Sequence, residues 1–152
     1  MDTIACFYIN LAEETEKNMN TIKELNIFNG VVRVDAHKHS NGAYGLAISD
    51  MLTLDLAEKQ SQEVICIFED DFQWEISKDN AVRQLETILK LDFDLVLLSY
   101  HIPVVTLYDL NPPLARVTNG QTTCGFMFKK SFIPKLREAF QVSRDNLLTG
   151  PA

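Results

Sequence analysis

Residues 65 to 74, ICIFEDDFQW, carry an apolar run straight into three adjacent carboxylates, Glu69, Asp70 and Asp71, and then return to aromatics. Like charges side by side repel, and apolar surroundings disfavour their ionised forms further, so this cluster calls for positive charge. On an extended backbone side chains alternate, which predicts that Glu69 and Asp71 face one site and Asp70 the other. Two such hard oxygen donors suit Mg²⁺ or Mn²⁺, ions that keep several waters and take phosphate oxygens as their remaining ligands. The plainer alternative is that the acids solvate a strand end and cap the next helix.

Other residues of chemical potential are less suggestive. His37 and His39 in DAHKHS share a polar loop without further soft-metal ligands nearby, a pattern that fits solvated imidazoles. Cys6, Cys66 and Cys124 each lie in an apolar run, with no CxxC spacing and an odd count, and read as reduced, small core residues. Phe68 and Phe72 read as core, while Trp74 fits either core or a sugar platform.

The elements that must position these groups follow from hydrophobic periodicity. TIACFYI (3 to 9) reads as a strand, and the stretch from Glu13 to Leu25 as a helix whose apolar face is Met19, Ile22 and Leu25. Asn29 and Gly30 read as a turn before the short β-branched run VVRV (31 to 34). A mostly buried helix over 43 to 60, with Leu46, Ala47, Met51, Leu54 and Ala57 inward, leads into EVICIF. A further helix (79 to 90) with Val82, Leu85, Ile88 and Leu89 on one face precedes the strand-like FDLVLLS (93 to 99). Apolar strands separated by helices predict an α/β, Rossmann-like fold with a mainly parallel central sheet and helices on both faces. After Ser99 come shorter, partly antiparallel strand candidates, VVTLYDL, ARVTNG and CGFMF, closed by a helix from Ser131 to Phe140, with LLTGPA fraying beyond it.

A chain of 152 residues fits one domain. Its 14 basic against 21 acidic residues, a net charge of −7, argue against a broad nucleic-acid surface, so a phosphate-bearing ligand needs local help from a metal ion, a helix start or a few placed cations. The opening MDTIACFYIN lacks a basic leader region and no apolar run reaches the ~20 residues of a membrane span, so the expected location is cytoplasmic, soluble and intracellular, the host cytoplasm if the chain is viral.

Three segments, FYINLAEETEKNMNTIKEL, NGAYGLAISDMLTLDLA and EVICIFEDDF, resemble in order and spacing glycosyltransferase family 25 and the related glycosyltransferases of large DNA viruses that act on capsid glycans. The likeness spans about residues 4 to 75, with a looser echo at TTCGFMFKKSFIPKL. It implies a GT-A fold over 1–152, with a nucleotide-binding half (about 1–100) and a sugar and acceptor half (about 101–145). It further implies a nucleotide-sugar donor, a UDP-sugar by preference, a glycan or protein-linked glycan acceptor, and a Mn²⁺ or Mg²⁺ cofactor on a DxD-type motif. Carried across, Glu69 and Asp71 are the metal-binding outer acids and Asp70 the middle one, with a catalytic and donor-binding place; Tyr8, Ile9, Asn10 and Leu11 hold the nucleoside. Ser49 and Thr123 fall in the matching segments as donor contacts, Arg33, Lys38 and His39 are expected to reach the phosphates or sugar, and Gly42 and Gly45 to admit ligand or open the helix. Asp145, a late acid, and His101, after the fourth strand, are the candidate catalytic bases. Two departures stand out: Asp50 replaces the family's His after Ser49, and AEETEK replaces a basic helix start. Two other functions compete, a nucleotide-sugar-binding module without catalysis and a receiver-like Mg²⁺-dependent phosphoryl-transfer domain, although in receivers the paired acids follow the first strand.

Overall fold

The computed structural model describes residues 1–99, 104–108, 114–119 and 124–149. A five-stranded sheet runs in the order β2-β1-β3-β7-β4, built from β1 (Ile4–Asn10), β2 (Val32–Asp35), β3 (Val64–Glu69), β4 (Leu95–Leu97) and β7 (Gly125–Lys129). β5 (Val104–Tyr108) and β6 (Leu114–Asn119) form a separate antiparallel pair. Four helices complete the fold: α1 (Thr15–Glu24), α2 (Gly42–Ala57), α3 (Lys78–Ile88) and α4 (Ile133–Thr149).

β1 pairs in parallel with β2 on one side and with β3 on the other. The crossover from β1 to β2 therefore runs one way along the sheet and that from β2 to β3 runs back past β1 the other way, and crossovers of one hand that do so place their helices on opposite faces of the sheet. Side-chain alternation supplies both faces with apolar groups. Ala5, Phe7, Ile9, Ile65, Ile67, Phe126 and Phe128 pack with Leu54 and Ala57 of α2 and Ile133 and Leu136 of α4. On the other face Ile4, Cys6, Tyr8, Cys66, Phe68 and Met127 pack with Leu25 and Phe28, which follow α1, and with Leu85 and Ile88 of α3.

The α/β class with a sheet covered on both faces is as expected, and four differences are instructive. The sheet is mixed, because CGFMF, expected among the smaller strands, enters it as β7, antiparallel to both β3 and β4. Its alternating Phe126 and Phe128 against Met127 supply both cores, which explains an unbroken apolar strand in an antiparallel setting. α1 does not bury the expected stripe: Met19 and Ile22 are 57% and 51% exposed, while Thr21 is buried and Leu25 lies in the 3₁₀ turn Leu25–Ile27 that ends the helix. Thr21 can be inside because its hydroxyl lies 2.8 Å from the Lys17 carbonyl and 2.9 Å from the Asp70 carbonyl, sharing its proton between them. Finally, FDLVLLS contributes only a three-residue edge strand, half-exposed, and α4 runs on through Leu147 and Leu148 where fraying was expected.

Local signals behave as their chemistry requires. Gly30, at φ 73°, occupies the left-handed region between α1 and β2 that a side chain resists. Asn41 caps α2 by accepting from the Tyr44 amide at 3.3 Å, and Ser77 caps α3 through the Asn80 amide at 3.4 Å. Arg137 of α4 bridges Asp55 of α2 (2.7 Å) and Glu58, its C-cap (3.1 Å), clasping the two helices that cover one face. Among the described residues no helix is long and apolar enough to cross a membrane.

Candidate functional site

The reversal of direction at β1 opens a crevice beyond the carboxyl ends of β1 and β3, the place where open α/β sheets bind ligands. A cleft of about 190 Å³ lies there. Its walls are Ile9, Asn10 and Leu11 from the end of β1, Glu69 and Asp70 from the end of β3, and Lys17 of α1. Ala36, His37, Lys38 and His39 of the β2–α2 loop and Gly42, Gly45, Leu46 and Ser49 of α2 complete it.

Asn10 organises the acidic side. It is 2% exposed, and its side-chain amide donates to Asp70 Oδ2 at 2.8 Å and to the Glu14 carbonyl at 3.3 Å. Its Oδ1 accepts from Arg33 Nε at 3.1 Å, while an Arg33 terminal nitrogen donates to Asp35 at 2.6 Å. Asp70 also lies 3.8 Å from Lys17 Nζ. A chain of alternating partners thus runs Asp35, Arg33, Asn10, Asp70, Lys17, and it fixes the middle acid of the cluster at the cleft wall.

The other two acids diverge. β3 ends at Glu69, and a turn closed by the Phe72 amide on the Glu69 carbonyl (3.3 Å) carries Asp70 and Asp71. Strand alternation therefore does not extend to Asp71, and the expectation that it aims Glu69 and Asp71 together is corrected by this turn. Asp71 is exposed, outside the cleft lining, and accepts from Cys124 Sγ at 3.3 Å. Burial, and then the carboxylates of Asp71 and Glu69, push the Cys124 thiol up to about 12, so at neutral pH it stays a thiol. Cys6 and Cys66 are buried free thiols held up by desolvation.

The basic side is set by close packing against α2. Ser49, buried, accepts from the His37 amide at 2.8 Å and donates to the Gly45 carbonyl at 2.8 Å. A Cβ at Gly45 would stand 2.5 Å from the His37 carbonyl oxygen, so only glycine lets the loop sit this close. Gly45 and Ser49 thereby hold His37, Lys38 and His39 along the cleft. Lys38 is ion-paired with Glu13 of the β1–α1 loop, which raises its pKa and lowers that of Glu13.

Next to Ser49 on α2, outside the cleft lining, stands a buried acid. Asp50 is 2% exposed and its Oδ1 has no hydrogen-bond partner. Desolvation first, then the charge of Glu69, hold its carboxyl well above the usual carboxylate range. Its signal in the sequence was its place directly after Ser49, where the resembled family carries His.

Of the remaining expected site residues, Tyr8 is buried in the core, its hydroxyl donating to Asn18 at 2.6 Å, and does not line the cleft. Arg33 acts on Asn10 rather than lining the cavity. Asp145 stands exposed on α4 beside Arg144, 2.7 Å away, and is not among the cleft walls. His101 and Thr123 lie outside the described residues. Trp74 packs edge-on against Phe72, centroids 4.8 Å apart, and donates through Nε1 to the Glu24 carbonyl at 3.0 Å, a core role. Among the described residues no three His, Cys, Asp or Glu side chains form a group that could hold a metal by itself. Compared with known proteins, the chain matches no family model and no curated protein.

Proposed function

We propose that this chain is a metal-dependent glycosyltransferase of GT-A type that moves a sugar from a nucleotide-sugar donor, a UDP-sugar, to a glycan acceptor. The observation that carries the reading is the cleft at the crossover reversal, where the ends of β1 and β3 set Asn10, Glu69 and Asp70 opposite the basic loop 37–39. The resemblance of residues 4 to 75 to glycosyltransferase family 25 supports it with the same segments.

The residues divide the work by chemistry. Ile9, Leu11 and Leu46 offer an apolar wall to the nucleoside, Lys17 and Lys38 offer positive charge that a diphosphate needs in a protein of net charge −7, and the two imidazoles offer ring nitrogens for hydrogen bonding. Asn10 and Lys17 hold Asp70 at a fixed place at the mouth, so its carboxylate orients a donor hydroxyl or ammonium without rearranging. A bound Mn²⁺ or Mg²⁺ would stabilise the negative charge that grows on the departing diphosphate. The donor set fits such an ion: one or two carboxylates suffice when phosphates and water supply the other ligands, and Glu69 and Asp70 both line the cleft.

Titration of UDP- and GDP-sugars with and without Mn²⁺ tests the reading, followed by acceptor-free hydrolysis of whichever donor binds. Manganese-dependent uptake of a sugar nucleotide, weakened by Asp70→Ala and accompanied by turnover, is the expected result. Uptake without turnover identifies a binding module instead. Failure of every sugar nucleotide to bind, with the metal or without it, sinks the proposal.

A further inference from the structure

In the parallel ladder between β1 and β2, Tyr8 faces Arg33 and Asn10 faces Asp35, and alternation puts all four side chains on one face of the sheet. Arg33 reaches one step forward along that face, so its Nε meets Asn10 Oδ1 at 3.1 Å. Its terminal nitrogen is anchored on Asp35 at 2.6 Å, which aims the guanidinium. Asn10 is 2% exposed and uses its full capacity: both Nδ2 protons go to acceptors, Asp70 Oδ2 at 2.8 Å and the Glu14 carbonyl at 3.3 Å, while Oδ1 receives a group that can only donate. Exchange of the two ends of the amide would set oxygen against a carboxylate and a carbonyl, and NH₂ against an N–H. The amide therefore has one admissible seating.

Arg33 matters to that seating although it does not line the cleft. Without its donor, Oδ1 becomes a buried acceptor lacking a partner, and the amide must turn or admit water to satisfy it. Either change loosens the Nδ2 hydrogen bond that holds Asp70. With the donor in place, the cation polarises the amide and strengthens Nδ2–H as a donor toward the carboxylate. We infer that Arg33 is a positioning residue for Asp70: through Asn10 it commits Oδ2 and leaves Oδ1, 3.8 Å from Lys17 Nζ, available to a ligand in the cleft. The ligand's identity rests on the sugar-nucleotide reading, whereas the relay from Arg33 to Asp70 does not.

Nuclear magnetic resonance of the Asn10 side-chain amide and titration with UDP plus Mn²⁺ test the two parts separately. In the wild type both Nδ2 protons should exchange slowly with solvent. Arg33→Met keeps an apolar stem and removes the donor. It is expected to speed that exchange, to shift the Asp70 side-chain ¹³C signal, and to weaken UDP–Mn²⁺ binding about 10-fold, the lower end of what loss of an outer-shell partner costs. The backbone amide spectrum of α4 should stay as in the wild type, and Arg33→Lys, which retains one donor, should recover part of each change. Unchanged Asn10 and Asp70 signals in Arg33→Met overturn the assignment, as does wild-type UDP–Mn²⁺ affinity in that variant where Asp70→Ala loses it. If Arg33→Met does not fold, the wild-type Arg33 Nε–H signal decides: persistence at neutral pH supports the relay, and exchange like that of a free guanidinium overturns it. Failure of the wild type to take up UDP with Mn²⁺ counts against the sugar-nucleotide reading, and the Asn10 and Asp70 signals still decide the relay.

Discussion

At the scale of single residues, Asp70 in the cleft wall and Asp50 in α2 show how environment divides identical side chains. Asp70 has an amide and an ammonium for partners, whereas Asp50 has burial and a neighbouring negative charge. For Asp50 the folded-state pKa lies above the unfolded value, so across the interval between them the native protein binds more protons than the unfolded chain. Stability is then greatest below the ordinary carboxylate value near 3.8 and falls as pH rises through that interval. In chelator, urea unfolding compared at about pH 4 and about pH 8 should show wild type losing stability relative to Asp50→Asn. Parallel curves for the two proteins would contradict the account. Asp50 also marks the limit of what the sequence discloses at this scale. The chain shows that an acid stands after Ser49 but not that it is buried, because burial is set by how α2 packs against β1 and α4.

The β2–α2 loop, as an element, depends on a small residue more than on its charged ones. By intrinsic propensity a helical Gly→Ala change adds about 1 kcal/mol of stability. At Gly45 the new methyl would meet backbone, the His37 carbonyl, at 2.5 Å, and backbone cannot swing aside as a side chain does. The contact outweighs the propensity: Gly45→Ala should destabilise by about 1–3 kcal/mol, as overpacking does, and shift the amide resonances of His37 to His39. A higher melting temperature with unmoved resonances would show that the loop does not need the glycine. Elements with periodic patterns were legible: α2 and α3 lie where their apolar spacing puts them, and β1 and β3 where their unbroken runs do. Met19 and Ile22 misled because periodicity weighs side chains by hydropathy alone, and it cannot see that Thr21 has two carbonyls to satisfy its hydroxyl. The turn that separates Asp71 from Glu69 was hidden for a related reason, since Asp serves turns and solvated strand ends alike and so does not announce where alternation stops.

For the molecule as a whole, the interleaving of β7 between β3 and β4 was beyond reach of local pattern, because an apolar strand does not encode its neighbours. The class of fold was readable and the strand order was not. One consequence is that residues 1–99 contain nearly the entire described cleft yet lack Phe126, Met127 and Phe128, which fill both cores, and Ile133 and Leu136, which pack on one of them. Produced alone, that segment should bind the dye ANS and unfold without a cooperative transition; a sharp melt with native-like chemical shifts would show the opposite.

The same interleaving sets a schedule for synthesis. Val64 faces Lys129 and Phe68 faces Gly125 across their ladder. While the chain is still emerging from the ribosome, the β3 edge displays unpaired amides and carbonyls beside an apolar surface, an invitation to mispairing with other nascent chains. The cleft is therefore among the earliest parts translated and among the last to become secure, since its wall at Glu69 is tied by backbone hydrogen bond to Cys124.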